Sequence, residues 1–119
     1  MNHKDLSVWK NSIELVSQIY QFTNELPKSE DFGLKSQLRR AAVSVPTNIA
    51  EGAARNHQKE FIQFCHISLG SLIEIETLLV IVNNVYKLKN NEIDDQVVEC
   101  RKLLLGFIKH LKIKPNTDR

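Results

Sequence analysis

The chain has 119 residues, 42% of them apolar and 25% charged, and a formal net charge of only +2. Four Gly and three Pro leave little turn material for a small β fold. No apolar run nears the roughly 18 residues of a membrane span, and Met1 to Lys10 lacks the basic-then-apolar layout of a signal peptide. The expectation is one cytoplasmic, all-helical domain over residues 1–119, without a membrane, burying roughly two-thirds of its unfolded surface in one core.

The first helix is predicted from Leu6 to Leu26, with Trp9, Ile13, Val16 and Tyr20 on one stripe and Leu15, Ile19, Phe22 and Leu26 beside it. Pro27 stops it, and the polar stretch to Gly33 reads as a connection. From Leu34 to about Arg55 a second helix gathers Leu38, Ala41, Val45 and Ile49 on one side. Val43, Pro46, Ala50 and Ala54 form a strip of small side chains that invites another helix. Pro46 removes a hydrogen bond to the Ala42 carbonyl and biases Val45 away from helical angles, so a kink or short break is expected there.

The third helix is predicted over about Gln58 to Tyr86 or Leu88, roughly 45 Å at 1.5 Å per residue. It is apolar around most of its circumference and needs cover on several sides. After Lys89-Asn90-Asn91, the residues Ile93, Val97, Cys100, Leu104, Ile108 and Leu111 set out a fourth helix ending near Lys112, followed by a disordered tail over about 114–119. Short connections between long helices favour an antiparallel, up-down-up-down four-helix bundle. Four helices alone leave part of the third uncovered, so a homo-oligomer is expected.

Chemistry is harder to find. None of His3, His57, His66 or His110 has a Glu three residues before it, as a di-metal bundle would need. HExxH, a phosphate loop and GxSxG are all missing, and Gly70-Ser71 lies mid-helix, where a small-to-pack role is expected. No Arg has a His four to six residues downstream, the spacing of some helical ribonucleases. Cys65 and Cys100 form no CxxC and read as buried thiols. The expectation is a non-enzyme with no metal or cofactor. Glu76, among Leu69, Leu72, Leu79 and Val80, is expected to be buried and paired with Arg39 or Arg40, the pair fixing register within the bundle or between subunits.

Charge is uneven along the chain: −2 over residues 1–34, +4 over 35–59, −5 over 60–100 and +5 over 101–119. Two basic segments can meet a phosphate backbone, or can simply complement neighbouring helices in the fold.

The segments Leu6-Ser7-Val8-Trp9-Lys10, Gln37-Leu38-Arg39-Arg40-Ala41-Ala42-Val43-Ser44-Val45-Pro46 and Asn48-Ile49-Ala50-Glu51-Gly52, with Gly70-Ser71 followed by Glu74 and Glu76, resemble the bacterial 23S rRNA intervening-sequence protein family, a group of ribosomal-protein-like four-helix bundles. The chain is also similar to the accessory protein of diversity-generating retroelements. That similarity implies a ring-like homopentamer that binds nucleic acid and a reverse transcriptase. By this resemblance the motif residues to test are Arg39, Arg40, Asn48, Glu51 and Arg55.

Two readings compete. In one, Lys35, Arg39, Arg40, Arg55, Lys59, Lys109, Lys112 and Lys114 form a basic surface for rRNA or another structured RNA. In the other, Arg39, Asn48 and Glu51 cap and lock helices or subunits. Few exposed aromatics are expected, so any RNA recognition should be electrostatic and shape-based. The alternative function is an oligomeric scaffold that recruits a protein partner such as a reverse transcriptase.

Overall fold

The computed structural model describes residues 2–115. Among them are four α-helices and no strand: α1 Ser7–Thr23, α2 Leu34–Ala54, α3 Gln58–Tyr86 and α4 Asn91–Ile113, with 3-10 turns at His3–Asp5 and Lys28–Glu30. α1 stops short of the expected Leu26, because Pro27 biases the residue before it away from helical angles. Its end tightens instead, with the Glu25 and Leu26 amides donating to the carbonyls of Phe22 and Thr23 at 3.1 and 3.2 Å. Asn90 caps α4 by accepting the Ile93 amide at 3.1 Å. Glu92 and Asp94 in the first turn of α4, and His110 and Lys112 in its last, complement the helix dipole. Residues 116–119 of the expected tail lie outside the described residues, whereas the Lys114 carbonyl accepts a hydrogen bond from Gln58 at 3.0 Å.

Each helix packs on two others: α1 on α2 and α4, and α3 on α2 and α4. The core fills the space between them, with Leu15, Leu38, Ile49, Leu72, Ile75 and Leu104 fully enclosed. Each such side chain contributes about 1.5–3 kcal/mol by leaving water. α3 is long and apolar enough to cross a membrane by length and composition alone. Here, however, one side of it, with Cys65, Leu72, Ile75 and Val82, is buried. Its other side leaves Ile67, Ile73, Val80 and Val85 half exposed or more.

The most extensive contact joins α2 to α3. Gly52 makes it possible, since a Cβ there would lie 2.8 Å from Phe64 Cβ and 2.9 Å from Phe61 Cδ1. Of the kink or short break expected at Pro46, the break is not found: α2 runs through the proline. The carbonyls just before the proline receive side-chain donors: Thr47 Oγ1 to Val43 at 2.9 Å, Asn48 Nδ2 to Ser44 at 2.8 Å, and the buried Ser68 Oγ of α3 to Val45 at 2.8 Å. None of these donors reaches the Ala42 carbonyl that the proline leaves without its amide; they serve the turn beside it, and the Ser68 bond ties that turn to α3.

Candidate nucleic-acid interface

The basic residues divide into two groups. α2 spans about 30 Å at 1.5 Å per residue, with Lys35, Arg39 and Arg40 near its start and Arg55 at its end. They therefore do not form one continuous surface along α2.

The first group borders an open cleft of about 660 Å³ lined by Tyr20, Phe32, Lys35, Arg39, Arg40, Val43 and Thr47 among others. Arg39 is bound into the fold. Its Nε donates to Thr23 Oγ1 at 2.9 Å, and its Nη2 donates to the Tyr20 carbonyl at 3.1 Å and to Asn24 Oδ1 at 3.0 Å. The guanidinium lies 4.3 Å from the Tyr20 ring centroid. It thus satisfies the C-terminal end of α1, where carbonyls lose their intrahelical partners. Lys35 Nζ sits 3.6 Å from Asp31 Oδ1, an i,i+4 pair at the surface that contributes well under ~1 kcal/mol. Arg40 is exposed.

The second group gathers where the first turn of α3 meets the last of α4. Gln58 Nε2 donates to the carbonyls of Leu111 and Lys114, which brings Lys59 and Arg55 toward Lys112 and Lys114. Arg55 stacks over Phe64 at 5.1 Å, and Lys59, Lys109 and Lys112 are exposed. Gln58 as the tie between these ends was not singled out in the sequence. A lone Gln at a helix start carries no signal of its distant partner.

The expected pairing of Glu76 with Arg39 or Arg40 is not found. Glu76 Oε1 instead accepts from Arg101 Nη1 of α4 at 2.5 Å, and its side chain is 34% exposed rather than buried. The level along α3 was read correctly, because Ser44 meets Ser71 and Val45 meets Ser68 on the way. The facing was not: Glu76 lines a groove with Leu79, Val97 and Val98 toward α4, while Arg39 turns to α1.

Asn48 has a structural role. Its Nδ2 reaches the Ser44 carbonyl and Ser44 Oγ at 2.8 and 2.9 Å, and Ser71 Oγ lies 2.9 Å from the same hydroxyl, linking α2 to α3. Glu51 is exposed and makes no hydrogen bond or ion pair among the described residues, so it locks nothing within one chain. Ser71 packs as a small polar partner, but an added Cβ at Gly70 would meet no atom within 4 Å, so that glycine is not needed for close approach inside the chain.

Sequence reasoning missed Phe32, which is 99% exposed. The loop that presents it is held on both sides. Glu30 Oε1 accepts the Leu34 amide at 3.0 Å, and Glu30 Oε2 accepts the Tyr86 hydroxyl at 2.5 Å. The tyrosine hydrogen bond, followed by the Leu34 amide, holds the Glu30 carboxyl below the usual range, while the same carboxylate raises Tyr86. Cys65 and Cys100 are buried free thiols, as predicted, and burial pushes both up to about 12. Among the described residues no three His, Cys, Asp or Glu side chains gather as a metal site.

These features define an all-helical four-helix protein with basic patches at two places on its surface. The family model described as 23S rRNA-intervening sequence protein matches residues 4–106, and the chain belongs to that family. A crystal structure of a protein of unknown function from the S23 ribosomal protein family of Bacteroides thetaiotaomicron shares the fold, with a TM-score of 0.76 and 24% identity over 92% of this chain and 99% of that one. No curated protein sequence matches.

Proposed function

We propose that this chain is a non-enzymatic, self-associating, up-down-up-down helical bundle that binds structured RNA or ribonucleoprotein through its basic surfaces. The observation that carries the RNA reading is the bonding of Gln58 to the Leu111 and Lys114 carbonyls, which sets the start of α3, flanked by Arg55 and Lys59, against the end of α4, with Lys112 and Lys114. Clustered exposed cations of this kind release counterions when they meet phosphates, and that release drives binding without base contacts. The family description, which ties its members to intervening sequences of 23S rRNA, supports the same partner.

The order of the helices is supported by the same end-to-end bonds. The start of α3 touches the end of α4, and Tyr86 at the end of α3 touches Glu30 before α2. Self-association, with a five-membered ring as the expected form, is supported by Ile67, Ile73, Val80 and Val85 on α3, large apolar side chains that four helices leave uncovered.

The test is binding of a labelled 23S rRNA fragment across a salt series, using the wild type, Arg55→Glu, Lys59→Glu and Lys112→Glu, with assembled mass checked by light scattering. Affinity should fall steeply with salt, with a shallower slope for each variant by roughly one released ion. An absence of binding at low salt would remove the RNA reading and leave a scaffold that recruits a protein partner.

A further inference from the structure

Phe32 stands 99% exposed on a loop that is otherwise well fixed. Burying a phenylalanine fully would contribute about 1.5–3 kcal/mol, yet nothing among the described residues covers it. The loop is not slack. The Glu30 carboxylate bonds the Leu34 amide and the Tyr86 hydroxyl, the Gly33 amide donates to the Glu30 carbonyl at 3.0 Å, and Asp31 pairs with Lys35. A Cβ on Gly33 would fall 2.4 Å from Glu30 Oε1, so the glycine leaves room for that carboxylate to reach the start of α2. The ring is thus presented from a braced position, and binding to it loses little loop entropy.

The cleft beside Phe32 combines a second aromatic, Tyr20, with three cations, Lys35, Arg39 and Arg40, against a single acid, Asp31. Arg39 uses its Nε and Nη2 on α1, which leaves its Nη1 group outside that network. A weak surface pair with Asp31 does not prevent Lys35 from meeting a phosphate. Ser44 and Thr47 add hydroxyls on the α2 wall. The open volume of about 660 Å³ falls in the range of small-ligand sites.

We propose that this cleft is a binding site for an unpaired nucleotide of RNA, with Phe32 stacking on the base and Arg40 and Lys35 meeting the flanking phosphates. An aromatic face beside cations is the combination that holds single strands without reading sequence. Three cations against one acid give the cleft the sign of charge that a phosphate needs. The site deepens the RNA reading and rests on it, but it lies at the end of α2 opposite Arg55, so the two can be separated by mutation. It adds base stacking to the expectation that recognition is mostly electrostatic and shape-based.

The experiment compares full-length wild type, Phe32→Ala, Phe32→Tyr and Arg40→Glu for binding a labelled short oligoadenylate and a labelled RNA duplex of equal length, with assembled mass measured for each. Phe32→Ala should weaken single-strand binding about tenfold, leave duplex binding and assembled mass unchanged, and be rescued by Phe32→Tyr. Arg40→Glu should weaken single-strand binding and flatten its salt dependence. If Phe32→Ala binds oligoadenylate like the wild type, the stacking site is overturned while the RNA function stands. If it changes the assembled mass, Phe32 is a contact between copies and the inference falls. If the wild type binds neither RNA at low salt, both readings fall together.

Discussion

The seam between α2 and α3 and the corner between α1 and α2 treat their aromatics in opposite ways. At the seam, Phe61 and Phe64 press against Gly52 so closely that no Cβ fits, and the hydroxyls of Ser68 and Ser71 are spent on α2. At the corner, Phe32 is left in solvent while polar bonds from Glu30 fix the loop around it. Apolar area maintains the first region and hydrogen bonding the second. A residue's contribution to stability therefore depends on which side of that divide it occupies, not on its type.

Glycine substitutions give the sharpest break. Gly52→Ala should destabilise the protein by about 1–3 kcal/mol through overpacking, even after about 1 kcal/mol of improved helix propensity. Gly70→Ala, with open space around it, should gain up to about that 1 kcal/mol; urea unfolding of the two variants checks the opposite signs. If Gly52→Ala were as stable as the wild type, the seam would not be close-packed.

The buried thiols sharpen the contrast through pH. Cys65 and Cys100 have folded pKa values near 12, above the ordinary value of 9.0. Between those values the unfolded chain releases protons that the native state keeps, so stability is whole below about pH 9 and falls as pH rises, by up to about 1.4 kcal/mol per unit for each thiol. Urea midpoints of wild type and Cys65→Ala at pH 8 and 10 test this, and the variant should lose less on going up. Smallest is the corner. Phe32→Ala should move the unfolding free energy by no more than about 0.5 kcal/mol, and a larger loss would mean the ring is covered by something in the folded protein.

Much of the fold was legible because it depends on local periodicity. The bounds of α3 follow from an unbroken apolar pattern between His57 and Lys87, and the buried cysteines follow from their places in the apolar patterns of α3 and α4. The continuity of α2 through Pro46 was not legible, since the packing that holds that turn comes partly from Ser68 of α3, which bonds the Val45 carbonyl from 23 residues away in sequence. The site was less legible. Arg39 and Arg40 are neighbours with the same charge, yet one is spent on α1 and the other is exposed.

The sequence by itself determined the helices, the membership of the core and the presence of two basic segments, because each is written in spacing along one chain. Only the tertiary structure decided that Glu76 pairs with Arg101, that Gln58 joins the ends of α3 and α4, and that Phe32 faces solvent. Those outcomes depend on how each helix is turned about its axis, which is set by the packing of neighbours distant in sequence. A turn of about 100° per residue moves a side chain from one partner to another without changing the pattern that made the helix.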